Sequence, residues 1–169
     1  VSYPFPLLLE SDSSVWVAHS NAEYNATGGK AAPDFGAGQF HPNNAYWMLF
    51  DVYQDVLFES VEVYSEDGGN HTVEILDAAG SLVASVTQAL NAGQNVFSLN
   101  VEIPAGEGYQ IRSGTNSPFL WRDDDNAAVT YPYDIGSLAT ITGTTIQGQN
   151  QYTYYYFYYN WTMSSLNPC

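Results

Sequence analysis

Positive charge is what this chain has least of: Lys30, Arg112 and Arg122 are its only basic residues besides histidine, against 18 Asp and Glu, for a formal net charge of -15 over 169 residues. Proteins that bind nucleic acid draw much of their affinity from cations that displace phosphate counterions, so no nucleic acid is expected as a partner. An anionic membrane surface would repel the chain for the same reason. Cysteine occurs once, at Cys169, so an internal disulfide cannot support the fold. Its position at the end reads as the edge of a piece taken from a longer chain, with a partner thiol further along. A secreted or surface location would tolerate such a bridge. Long apolar runs are also missing: no stretch of 18 or more apolar residues occurs, and no membrane insertion is expected. Val1 to Leu9 lacks a basic flank and carries Pro4 and Pro6, which excludes a signal peptide there.

Aromatic residues are abundant, with 14 Tyr, 8 Phe and 4 Trp. Acidic disordered segments are poor in aromatics, whereas these rings offer large areas to bury, so a folded chain is expected. The length fits a single domain, residues 1-169, and a chain of about this size buries roughly two-thirds of the surface its unfolded form exposes. The acidic excess keeps the surface hydrated in salt and favours divalent cations over anions.

Helical periodicity is nearly absent, and strand signals with period two recur between Gly, Pro, Asn and Asp. Strands are predicted over Tyr46 to Tyr53, Val56 to Tyr64, Thr72 to Asp77, Ser81 to Thr87, Asn95 to Ile103, Tyr109 to Arg112 and Phe119 to Arg122. Asp67-Gly-Gly-Asn70 reads as a hairpin turn, because Gly accepts the positive φ angles such turns need. Asp77-Ala-Ala-Gly80 and Pro104-Ala-Gly-Glu-Gly108 read as further turns. Residues 21-44, rich in Gly, Ala, Asn and Pro, read as a long loop. Ile135 to Met163 reads as two last strands. Strands at this spacing without helices predict an antiparallel β-sandwich of jelly-roll type.

These pieces, taken in order, resemble a β-sandwich accessory domain of large secreted or surface proteins of Bacteroidota. The matching segments include Phe50-Asp-Val-Tyr53, Leu57 to Tyr64, Gly69-Asn-His-Thr-Val73, Leu76-Asp-Ala-Ala-Gly80 and Ile103 to Gln110. Leu120-Trp-Arg122, Tyr131-Pro-Tyr133, Ile141-Thr-Gly143 and Tyr154 to Trp161 continue the series. The resemblance runs from about residue 45 to the end. It implies a jelly-roll module, carbohydrate-binding or adhesive, secreted or displayed on the cell surface.

The richest candidate site is Phe119-Leu-Trp-Arg-Asp-Asp-Asp-Asn126. Trp121 offers a stacking plane and Arg122 a bidentate fork for sugar hydroxyls or a carboxylate, with Tyr131 and Tyr133 just beyond. Equally, Trp121 could pack beneath the loop while Arg122 neutralises neighbouring acids. Asp123, Asp124 and Asp125 supply hard oxygen ligands suited to a structural Ca²⁺, though a solvated acidic turn accounts for them as well. Glu10, Asp12, Asp51 and Asp55 are weaker ligand candidates. Tyr152 to Trp161 reads as one strand, either an aromatic platform for sugar rings or a buried final strand.

Catalysis finds little support. Neither Gly-x-Ser-x-Gly nor His-Glu-x-x-His occurs, and His19, His41 and His71 read as surface side chains. Asn25, Asn70 and Asn160 open Asn-x-Thr sequences that read as chance matches. The sequence therefore points to a non-catalytic extracellular module that binds a polysaccharide or glycan. The alternative is a structural subunit of an extracellular fibre or stalk, contacting neighbouring domains or copies of itself.

Overall fold

A computed structural model of the protein describes residues 25–42, 45–124 and 126–166. Asp125, Cys169, Glu10, Asp12 and His19 lie outside the described residues. The expected all-β class holds: the described residues form two antiparallel sheets, and no α-helix occurs among them.

One sheet has seven strands and the other six. The larger contains β1 (Asn25–Gly28), β2 (Gly38–His41), β4 (Val56–Ser65), β7 (Gly93–Ile103), β9 (Leu120–Asp123), β12 (Tyr155–Tyr156) and β13 (Tyr159–Ser165). The smaller runs in the order β10 (Tyr133–Ile135), β11 (Ala139–Thr144), β3 (Met48–Val52), β8 (Gly106–Ser113), β5 (Gly69–Leu76) and β6 (Leu82–Leu90). Between β11 and β12 lies a short 3-10 turn, Gly148–Tyr152.

β4 lies at the centre of the larger sheet. It pairs with β13 on one edge and β7 on the other, and its last residue, Ser65, hands the sheet on to Leu120 of β9. Alternation places Val56, Phe58, Val61 and Val63 in the core, and a bulge between Phe58 and Ser60 shifts the phase between the two halves. From the facing sheet come Met48, Phe50, Val73, Ile75 and Ile111, all buried. Aromatic rings lock the two layers together. Trp161 stacks on Phe58 at 4.8 Å and meets Phe50 edge-on at 5.2 Å.

Two expectations are corrected. Residues 21-44 do not form one long loop, because β1 pairs with β13 and β2 pairs with β9. The Gly, Ala and Asn composition there hides short edge strands whose ladders come from distant partners, which local propensity does not see. Asp67-Gly-Gly-Asn70 is a turn but not a hairpin. It carries the chain from β4 in one sheet to β5 in the other, whereas Asp77 to Gly80 does close a hairpin between β5 and β6. There Asp77 accepts hydrogen bonds from the Ala79 and Ser81 amides, and Gly80 sits at φ 82°.

Candidate functional site

The site predicted around residue 121 is built on β9, a four-residue strand held between β2 and β12. Register decides which side chains share a face. Phe40 lies opposite Trp121, Tyr155 opposite Asp123 and Tyr156 opposite Arg122. Since neighbouring residues point to opposite faces, Trp121 and Asp123 look one way and Arg122 the other. The four predicted ligand-binding residues therefore do not form one continuous plane.

On the first face Trp121 is 9% exposed, roofed by Phe35 at 5.0 Å and flanked by Phe40 at 5.2 Å. Its indole Nε1 donates to Asp123 Oδ1 at 3.0 Å. Asp123 is fully buried, accepts the Asp34 amide at 2.9 Å and forms an ion pair with the Lys30 ammonium. An uncompensated buried carboxylate would be costly, and these partners supply the compensation. Gly38 lets β2 approach: a Cβ there would stand 2.3 Å from the Arg122 carbonyl oxygen and 2.9 Å from the Trp121 indole nitrogen. Of the paths open to Trp121, packing beneath a loop is the one realised, and Phe35, 60% exposed, presents the surface in its place.

Tyr131 and Tyr133 meet edge to face at 5.3 Å, and both rest on buried Tyr155, Tyr131 stacked at 6.0 Å and Tyr133 edge-on at 5.3 Å. The Tyr131 hydroxyl donates to the Tyr154 carbonyl at 2.9 Å, and the Tyr133 oxygen accepts the Thr130 amide. Burial drives the Tyr131 phenol pKa well above its usual value, with the neighbouring tyrosines adding to the shift. Tyr152, 53% exposed, leans edge-on against Tyr131 at 6.5 Å and extends the group to the surface.

On the second face the Arg122 guanidinium lies 4.6 Å from the Tyr154 ring centroid and 5.7 Å from that of Tyr156. Tyr154 and Tyr156 stack at 6.1 Å, and Tyr46 and His41 approach Tyr156 at 5.6 and 6.2 Å. Burial is the largest influence lowering the His41 pKa, and Arg122's charge lowers it further. Arg122 Nε and the Tyr156 hydroxyl are buried with no hydrogen-bond partner. Lys30 pairs with Asp123 and Arg112 with Glu74, but among the described residues no carboxylate lies within ion-pair distance of Arg122. Of the described neighbours, Asp123 is committed to Lys30 and Asp124 accepts the Asn126 amide and side chain in its own turn, so Arg122 pairs with neither.

The aspartates are thus separated in role. Among the described residues no group of three His, Cys, Asp or Glu side chains is placed to hold a metal. Tyr152 to Trp161 is not one strand. The 3-10 turn ends at Tyr152, Phe157 at φ 72° interrupts the ladder, and Tyr155 to Tyr159 are all buried, so the second of the two readings, burial, describes most of the segment. His71, expected at the surface, is fully buried. Its Nε2 lies 3.3 Å from Ser113 Oγ, which in turn lies 2.9 Å from the Tyr158 hydroxyl, and the ring packs on Phe97. The alternation His71, Val73, Ile75 carried that signal in the sequence.

Sequence reasoning missed Tyr46, His41 and Lys30 as neighbours of β9, because each reaches it through long-range pairing or packing. No family model, no curated protein and no solved structure matches this chain.

Proposed function

We propose that this chain is a non-catalytic glycan-binding or adhesion module of a secreted or surface-displayed protein, in keeping with the Bacteroidota accessory domains it resembles. One observation carries the reading. Tyr152, Tyr131 and Tyr133 form a group of exposed and half-buried rings, and the Tyr131 hydroxyl bonds to the backbone of Tyr154, whose own ring lies against a guanidinium with no carboxylate partner among the described residues. Ring faces of this kind stack on sugars, and phenol and guanidinium groups bond to hydroxyls. Among the described residues Ser113 and His71 lie together as a hydroxyl and an imidazole, and both are buried.

The test is a polysaccharide array followed by titration calorimetry of the full chain, run with and without a chelator. Tyr152→Ala, at an exposed position, is expected to weaken binding about fivefold, the loss of roughly 1 kcal/mol of ring contact. Binding to no glycan in either condition would overturn the reading.

A fibre or stalk subunit is the second reading. It is favoured by Leu82, Val83 and Val96, exposed apolar residues on β6 and β7, which are the edge strands of the two sheets. Concentration-dependent assembly in sedimentation, without glycan binding, would favour it.

A further inference from the structure

We propose that Arg122 anchors a carboxylate, so that the ligand of this surface carries an acidic sugar, a single uronic acid unit within an otherwise neutral polysaccharide, since a chain of net charge -15 would repel a polyanion. The inference deepens the glycan-binding reading and rests on it.

The basis is an imbalance in how the three cations are used. A chain with 18 acidic groups has abundant counter-charge, and Lys30 and Arg112 each take it. Arg122 is part-buried on the second face of β9, where among the described residues Tyr154 and Tyr156 supply ring faces and no counter-charge. A buried N–H without an acceptor costs free energy, and Arg122 Nε is such a group. The Tyr156 hydroxyl, equally buried, lies on the same face against Arg122, whose charge favours its ionised form, and so belongs to the wall of the anchor.

An incoming carboxylate balances the charge. Its two oxygens match the planar fork of the half-buried guanidinium. Neutral sugars bring hydroxyls but no charge to balance the guanidinium. The Tyr154 ring lies 4.6 Å from the guanidinium carbon and so holds the head group in place before the ligand arrives. Tyr131, bonded to the Tyr154 backbone, ties this anchor to the ring group on which the rest of the sugar chain would lie.

The experiment is calorimetric titration of the full chain at neutral pH with neutral oligosaccharides that carry one galacturonate, glucuronate or mannuronate unit, each beside its carboxyl-reduced counterpart. Reduction keeps rings and linkages and removes only the charge. At least one acidic oligomer is expected to bind about tenfold or more tightly than its reduced form, as charge-assisted hydrogen bonds warrant. Arg122→Gln is expected to abolish that margin while leaving residual binding to the reduced oligomer. Equal binding of charged and reduced oligomers, or an acidic preference that survives Arg122→Gln, overturns the carboxylate anchor and leaves glycan binding standing. No binding to any oligomer or array polymer overturns both. Should Arg122→Gln fail to fold, the charged and reduced oligomers still decide with the native chain. The Arg122 Nε–H signal in NMR then shows whether the shift on ligand addition falls on this side chain.

Discussion

His71 illustrates what a single buried side chain imposes. It sits between Ser113 and Thr115 with Phe97 against its ring, and burial pushes its pKa down from 6.5 to about 4. A base whose pKa falls on folding binds fewer protons in the native than in the unfolded chain between those two values. Stability is therefore full above about 6.5 and is lost as pH falls toward 4. The loss expected from this one group is on the order of 3 kcal/mol. Urea denaturation across pH 4 to 7 measures it, and the informative quantity is the difference between the native chain and His71→Gln, since the carboxylates titrate in both. The variant should be less pH-dependent in that window. Parallel curves would mean that His71 does not titrate as its burial requires. From the sequence His71 passed as one of three isolated histidines. Its place in the Val73, Ile75 alternation was visible, but the partners Ser113, at the end of β8, and Thr115, just beyond it, lie some 40 residues away and could not be read.

At the scale of an element, the segment from Tyr152 to Trp161 shows how far periodicity can be trusted. Its residue types mark it as a strand with aromatic rings on both sides, but within it only Tyr155–Tyr156 and Tyr159 to Trp161 lie in strands. Strict alternation would leave one face outside. Phe157 at φ 72° and Asn160 at φ 44° break the phase instead, and the rings of Tyr155 to Tyr159 are all buried. A positive φ at a bulky residue is unfavourable on its own, so the fold has to impose it from distant contacts, and no local pattern announces it. The consequence is alkaline sensitivity. Burial raises the phenol pKa of Tyr131, Tyr155, Tyr156, Tyr158 and Tyr159 above 10.0, with Arg122 partly opposing the shift at Tyr156. A group whose pKa rises on folding contributes stability that is complete below its unfolded value of 10.0 and is lost as pH climbs through the folded value. Phenolate absorbance followed together with near-ultraviolet circular dichroism should show these tyrosines ionising in one step that coincides with loss of tertiary structure. Ionisation of the whole set before any unfolding would contradict the buried arrangement.

For the molecule as a whole, the all-β class and most strands from residue 46 to 122 were legible, since period-two patterns and Gly turns are local features. The crossing from β4 to β5 was not, because a turn looks the same whether the chain returns to its own sheet or passes to the other. Nor was the closure of the open side. There Gln88 donates to the Val96 carbonyl and accepts the Ser98 amide, standing in for a neighbouring strand along β7. Net charge was fully legible and carries the last expectation. With 18 acids, two of the three cations already paired and a formal charge of -15, unscreened repulsion works against the compact state. Added salt shortens the range of that repulsion from about 30 Å at 0.01 M to 3 Å at 1 M, while the buried Lys30 and Asp123 pair is shielded little. Raising sodium chloride from about 0.01 to 0.5 M should therefore stabilise the chain. A gain of about 1 kcal/mol corresponds to roughly 2–4 °C in Tm for a domain of this size. Thermal melts at fixed pH 7 test it, with chloride chosen over sulfate so that screening is not confused with stronger apolar burial. A Tm that falls with salt would mean that exposed ion pairs, not excess negative charge, dominate the electrostatics of the native state.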